Sequence, residues 1–248
     1  MKIVVAGGTG RIGSRVVSSL ADHGFDVVVA SPSHGVDALT GRGLAEAFEG
    51  ADVVVDTVNV PASVSYNRAF DFLETSSRNL LDAGHRAGVE HHVLLSIVGA
   101  DRMASEYFRG KERQEQMVRA HGVPYSVVRS TTFYEALTGP TGDQPLSSSV
   151  RVPFVEIQPV AAADLARVLA HVVASDPQGG KVEVAGPERM FFDEFVTAFM
   201  QARGDQRRVV RDVAAEYLGT RFEAGDTALL PDLHVGETRL DSWLAEAR

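Results

Sequence analysis

Short unbroken apolar runs alternate along this chain with stretches whose apolar residues recur every three or four positions. Ile3-Val4-Val5-Ala6 is such a run and reads as a strand buried on both faces. Over residues 12–21 the apolar positions Ile12, Val16, Val17 and Leu20 follow helical spacing, and His23-Gly24 ends the helix. Residues 27–30 and 53–55 predict two further buried strands, and 93–95 and 126–128 two more. Helical stretches at about 66–86 and 105–120 separate the last three. Strands alternating with helices predict an α/β fold with a doubly wound parallel sheet.

After Arg129 the texture changes. Thr138-Gly139-Pro140-Thr141-Gly142 and Ser147-Ser148-Ser149 have the composition of loops. A helix over 163–174, a strand over 181–185 and a helix over 192–202 follow, with no internal repeat. The expectation is a single domain, 1–248, in which 1–132 form the sheet core. Residues 133–248 form mainly a small C-terminal cap, apart from one returning helix and strand at about 163–185.

Gly7, Gly10 and Gly13 sit three apart in Gly7-Gly8-Thr9-Gly10-Arg11-Ile12-Gly13, between the first strand and the first helix. Gly7 permits a tight turn, Gly10 lets the backbone approach a pyrophosphate, and Gly13 lets the helix pack close to the strand. An anion there meets unpaired amides at a helix N-terminus. The spacing alone is weak, but its place between strand and helix makes it a dinucleotide-binding turn and the core a Rossmann core. An NAD site usually carries a carboxylate roughly 20 residues further on, at the end of the second strand. Here that strand ends Ala30-Ser31-Pro32-Ser33-His34, with no acid. Ser31 and Ser33 can donate hydrogen bonds to a 2′-phosphate and Arg11 can add positive charge. NADP(H) is therefore expected in preference to NAD(H), the alternative being a plain turn around Pro32.

Tyr107 and Lys111 are four apart on one helix face, and Ser96 closes the strand before them. A phenol has a pKa of about 10 and needs help to act near neutrality. A nearby ammonium would lower it, a serine hydroxyl could hold a substrate oxygen, and the lysine could also reach the cofactor ribose. Ser96, Tyr107 and Lys111 are the candidate catalytic group, against the plainer reading of a solvated helix face beside a strand-end serine.

Charge and composition narrow the field. The formal net charge of −9 offers nucleic acid no general basic footprint, and Arg207-Arg208-Val209-Val210-Arg211 reads as a solvated strand or loop edge. No run approaches the ~18 apolar residues of a membrane span, and the N-terminus has no secretory cleavage pattern. The absence of cysteine rules out thiol catalysis and thiolate-bound metal, and fits a reducing compartment. A cytoplasmic protein acting on a small molecule, without nucleic acid, membrane or metal, is expected. His91-His92 reads as a loop pair and not a metal site, since adjacent side chains at a strand entry point opposite ways. Asp193-Glu194 should open a helix, and Trp243 with Leu240 and Leu244 should pack as core.

These residues resemble the short-chain dehydrogenase/reductase superfamily, and within it the atypical NmrA-like branch. The resemblance runs over most of the chain, on GGTGRIG at 7–13, LLSIVGADRM at 94–103, YFRGK at 107–111, PYSVVRSTTFYE at 124–135 and QPVAAADLARVLA at 158–170. It implies that Thr9, Gly10, Arg11 and Ile12 hold the pyrophosphate and that Ser31 and Ser33 surround the adenosine phosphate. Thr57, Val58 and Asn59 would line the cofactor at the end of the fourth strand. Lys111 would reach the nicotinamide ribose, and the stretch from Ser130 to Phe133 would pass by the nicotinamide amide. The interval from Ser96 to Tyr107 is shorter than is typical of catalytic members. The resemblance implies an NADP(H)-dependent reductase of a small carbonyl, quinone or related acceptor. The alternative is a non-catalytic NADP(H)-binding, redox-sensing regulator, with a sugar-modifying enzyme third.

Overall fold

A computed structural model describes residues 1–61, 63–137, 149–221 and 233–246. Its first half runs β1 (Lys2–Ala6), α1 (Gly13–Asp22), β2 (Asp26–Ala30), α2 (Leu44–Phe48), β3 (Val53–Asp56), α3 (Ala69–Ala87), β4 (His91–Ile97), α4 (Glu106–His121) and β5 (Tyr125–Ser130). The second half adds α5 (Tyr134–Leu137), β6 (Ser149–Val152), β7 (Glu156–Ile157), α6 (Ala162–Val173), β8 (Lys181–Ala185), β9 (Met190–Phe191), α7 (Phe192–Ala202), β10 (Arg208–Arg211), β11 (Leu233–Val235) and α8 (Leu240–Glu246).

Seven strands form one parallel sheet in the order β2-β1-β3-β4-β5-β8-β11. The apolar runs have no alternation because both faces are covered. Ile3, Val5, Val55 and Val93 pack under α1 and α6. Val4, Ala6 and Val54 pack under α2 and α3, and Leu94 and Val127 meet Val118 of α4. A separate core forms the cap, where Tyr134, Phe192, Phe195 and Phe199 enclose Trp243, with Leu240 and Leu244 at its margin. The two small strand pairs, parallel β6–β10 and antiparallel β7–β9, belong to this region.

The structure refines several sequence expectations. The helix expected from Tyr66 opens with a 3₁₀ turn at Tyr66–Arg68, and α3 starts only at Ala69. β11 joins the sheet beside β8, so residues beyond 185 also return to it. The histidine pair is not in a loop: His91 and His92 are the first residues of β4 and are buried. They do point to opposite faces, His91 Nε2 lying 2.9 Å from Ser126 Oγ and His92 Nε2 4.0 Å from Asp56 Oδ2. Asp193-Glu194 open α7, where Glu194 accepts from the Phe191 amide at 2.8 Å. The arginine-dense stretch becomes β10, with both ends exposed. The loop expected at 138–142 and the first two serines of the one at 147–149 lie outside the described residues, while Ser149 opens β6.

Candidate active site

The chain leaves β1 through Gly7, whose φ of 77° suits glycine, and the Gly7 amide donates to Ala30 O at 2.9 Å. Gly13 is where helix and strand approach most closely. A Cβ there would stand 2.2 Å from Gly7 O and 2.7 Å from Thr57 Oγ1. Gly10 differs: a Cβ there would meet only Gly7 O, at 3.1 Å, and open space beyond. Thr9, Gly10 and Arg11 are exposed, Ile12 is buried, and no side chain caps the N-terminus of α1. The helix therefore turns uncapped amides toward an open cradle, which fits an anionic pyrophosphate.

At the end of β2, Ser31 is buried and its Oγ lies 3.0 Å from Ser33 Oγ and 2.9 Å from His34 Nδ1. His34 is a third polar group at a place where the sequence pointed only to the serines. Arg11 is placed differently from the expectation. Its Nη1 donates to Glu135 O at 3.2 Å, and its charge is felt by the phenols of Tyr66 and Tyr217, on the side of the cap.

Thr57, Val58 and Asn59 follow β3. The strand that the resemblance counts as fourth is thus the third here, with only the short α2 between it and β2. Thr57 Oγ1 donates to Ala6 O at 2.7 Å, and the Val58 amide donates to Asp56 Oδ1 at 2.9 Å. Asn59 Nδ2 donates to Tyr107 Oη at 3.3 Å.

Tyr107, Lys111 and Glu115 form one buried stripe on α4 at helical spacing, its N-terminus capped by Ser105. The expected pairing of ammonium with phenol is absent. Lys111 Nζ donates to Leu95 O at 3.2 Å, and its charge faces the carboxylates of Asp56 and Glu115. Burial pulls Lys111 down to about 8 against those carboxylates, and pushes Asp56 up to about 6 against the lysine. Burial also pushes the Tyr107 phenol above its ordinary value, with the Asn59 hydrogen bond opposing and the phenols of Tyr217 and Tyr66 adding to it. The lysine does not acidify this tyrosine, because α4 turns it toward the sheet.

Ser96 is likewise engaged. Its Oγ donates to Glu115 Oε1 at 2.7 Å, and Glu115 takes Arg129 Nε at 2.7 Å and Nη2 at 2.8 Å. Arg129 reaches on to Asp101 at 3.0 Å, which also meets Lys181 at 3.4 Å. Asp56, Lys111, Glu115, Arg129, Asp101 and Lys181 thus alternate in sign beneath α4, an arrangement that compensates buried charge.

Where β4 and β5 end, the cap leaves a recess of about 490 Å³, its open mouth included. Ile97, Val98, Met103, Phe108 and Ile157 make it mainly apolar, and Thr131, Thr132, Gln158 and Tyr217 add polar groups. Its lining and its place at the carboxyl edge of an open sheet suit a small-molecule site. Ser96, Tyr107 and Lys111 are not among its lining residues, although Tyr107 packs with Phe108 and Met103 behind the wall. Ser130 ends β5, and Phe133 bridges to Val160 beside it.

Residues 7–176 match the model of a family described as NAD(P)H-binding. The chain belongs to this family of atypical short-chain dehydrogenases/reductases. It is an NAD(P)H-dependent oxidoreductase of that type. It is 29% identical over 246 residues to the (4-alkanoyl-5-oxo-2,5-dihydrofuran-3-yl)methyl phosphate reductase of Streptomyces griseus, covering 92% of this chain and 80% of that protein. It is 26% identical over 220 residues to the chloroplastic divinyl chlorophyllide a 8-vinyl-reductase of Cucumis sativus, covering 75% of this chain but 52% of the relative. In fold it is similar to a short-chain dehydrogenase/reductase superfamily protein of Agrobacterium tumefaciens with bound NAD, at TM-score 0.72 and 17% identity, over 100% of this chain and 96% of that one. It is also similar to dTDP-4-dehydrorhamnose reductase of Bacillus anthracis in complex with NADP, at TM-score 0.68 and 13% identity, over 96% and 91%. One of these proteins has NAD bound and the other NADP, so the likeness in fold does not choose between the dinucleotides. No described helix is long and apolar enough to cross a membrane, and no described residues cluster as metal ligands.

Proposed function

We propose that this oxidoreductase uses NADP(H) to reduce a small carbonyl, quinone or related acceptor held in the recess beyond β4 and β5. The observation that carries the reading is the recess itself: mostly apolar walls, a few hydroxyls, and a position at the carboxyl edge of the sheet. When bound, the dinucleotide supplies a hydride. The protein's part is to hold it, orient the acceptor, exclude water and provide a proton. Gly7, Thr9, Gly10, Arg11, Ile12 and Gly13 form the pyrophosphate cradle, and Thr57, Val58 and Asn59 form its wall. Ser130 and Phe133 border the nicotinamide side. Lys111, charged below about 8, carries the positive field under the ribose. Ser96 positions Glu115 and so the lysine, while Tyr107 with Asn59 closes the wall between cofactor and cap.

The preference for NADP(H) rests on Ser31, Ser33 and His34, a cluster of donors without a carboxylate. The Streptomyces griseus relative, a reductase by name, supports the direction of the reaction. The test follows NADPH consumption with a panel of quinones, aldehydes and ketones, alongside fluorescence titration of NADPH and NADH on wild type and Ser31→Asp. Consumption with at least one acceptor is expected, with tighter NADPH binding that Ser31→Asp narrows or reverses. Tight NADPH binding with no consumption across the panel would overturn these acceptor classes and favour the redox-sensing alternative. Equal or tighter NADH binding would overturn the cofactor preference.

A further inference from the structure

We propose that Tyr217, paired with Thr132, is the group that binds the acceptor's carbonyl oxygen and delivers its proton. This deepens the reductase reading and rests on it. Tyr217 lines the recess, whereas Tyr107 and Ser96 do not. The polar lining groups are hydrogen-bonded in two sets. Thr131 Oγ1 donates to Gln158 O at 2.7 Å, Gln158 Nε2 donates to Gly186 O at 2.7 Å, and Gln158 Oε1 accepts from Arg189 Nε at 3.1 Å. Thr132 Oγ1 and Tyr217 Oη lie 2.7 Å apart, two hydroxyls able to exchange donor and acceptor roles. They form the pair chemically suited to a carbonyl: one hydroxyl to donate, the second to restore the proton.

The chain holds this phenol firmly. Tyr217 and Thr220 hydrogen-bond across a tight turn in which Leu218 and Gly219 both have positive φ, of 54° and 74°. Ser105, the cap of α4, donates to Leu218 O at 2.8 Å, and the ring of Phe192 meets that of Tyr217 edge-on at 5.3 Å. Burial pushes the phenol up to about 12, with its Thr132 hydrogen bond opposing, so it is protonated at neutral pH. A phenol is still a stronger acid than the alcohol it would help to form.

In the proposed step a hydride, carrying two electrons, adds to the carbonyl carbon. The carbonyl π pair moves to oxygen, and that oxygen takes the Tyr217 proton. The oxidised dinucleotide leaves with the positive charge. The phenolate regains a proton through Thr132 from solvent.

The test compares wild type, Tyr217→Phe and Thr132→Val. The first readout needs no cofactor: the infrared carbonyl stretch of ¹³C-acetophenone bound to each protein. A hydrogen-bonded carbonyl shifts to lower frequency. The shift should be present in wild type and lost in Tyr217→Phe. The second readout is turnover with the best acceptor of the panel. Tyr217→Phe should lose about 10²–10⁴-fold in kcat with NADPH affinity unchanged, the usual contribution of a positioned acid. Thr132→Val should lose less. An unshifted carbonyl in wild type, or a shift and turnover that survive Tyr217→Phe, overturns the assignment. If the shift behaves as expected but no acceptor is reduced, the oxygen-binding role of Tyr217 stands and the reductase reading alone fails.

Discussion

Two glycines of one turn should fail in opposite ways when given a methyl group. At Gly13 the added Cβ would stand 2.2 Å from Gly7 O, 2.8 Å from Gly7 C and 2.7 Å from Thr57 Oγ1. Two of those atoms are backbone of a turn tied to β2 through the Gly7 amide, so neither can swing aside. Overpacking a buried site costs about 1–3 kcal/mol, and a backbone-to-backbone clash belongs at the upper end. At about 3 kcal/mol, a domain of this size loses roughly 6–12 °C in Tm. Gly10 meets only Gly7 O, at 3.1 Å, and its φ is not positive, so Gly10→Ala should shift Tm by less than about 2 °C. Its methyl group would nevertheless fill the pyrophosphate approach, and Gly10→Val would fill more of it. Thermal unfolding with and without NADPH separates the two effects. Gly13→Ala should be destabilised before any ligand is added, while Gly10→Val should keep its own Tm and lose the upward shift that NADPH gives wild type. A Gly10→Val protein stabilised by NADPH as fully as wild type, or a Gly13→Ala protein as stable as wild type, would refute the cradle.

The charges beneath α4 give two more predictions. Glu115→Gln weakens the acceptor of two Arg129 hydrogen bonds and leaves a 4% exposed guanidinium with Asp101 as its remaining carboxylate, itself 40% exposed. Breaking one side of a buried pair costs about 3–5 kcal/mol, so Tm should fall by roughly 6–20 °C, and a fall of under 2 °C by calorimetry would show the network to be idle. Lys111, drawn down to about 8, is charged in folded and unfolded chains alike below that pH, so its burial cost is fully present there. As pH rises above 8 the folded chain sheds the proton first, and wild type should gain stability relative to Lys111→Met until the unfolded chain follows near the ordinary lysine value. Urea unfolding of both proteins from pH 7 to 10 measures this, and a constant difference would place Lys111 in water.

The central sheet was legible because its strands are buried on both faces, which leaves runs such as Val53-Val54-Val55 without polar interruption. The strands of the cap were not. β6 pairs with β10 across more than fifty residues, and neither carries a local signal beyond a few valines. In the site, helical spacing correctly put Tyr107 and Lys111 on one face of α4, but spacing does not say which way that face turns. The rotation could have been read from the next turns of the helix. Gln114 and Glu115 continue the stripe, so the buried face is largely polar and has to lie against complementary charge, which Arg129 supplies from β5 and Asp56 from β3. An ammonium compensated in that way is a fixed positive support and not a partner for the phenol four residues before it. The proposed acid, Tyr217, comes from elsewhere in the chain. The cap brings Tyr217 to Thr132, 85 positions away, through a turn of Leu218 and Gly219 whose geometry leaves no periodic trace. Division of labour follows from that packing: the sheet and α4 fix charge where the cofactor lies, and the cap brings the hydroxyl to the acceptor. A change of substrate would then require changes in the cap around Tyr217 while leaving the buried charges beneath α4 untouched.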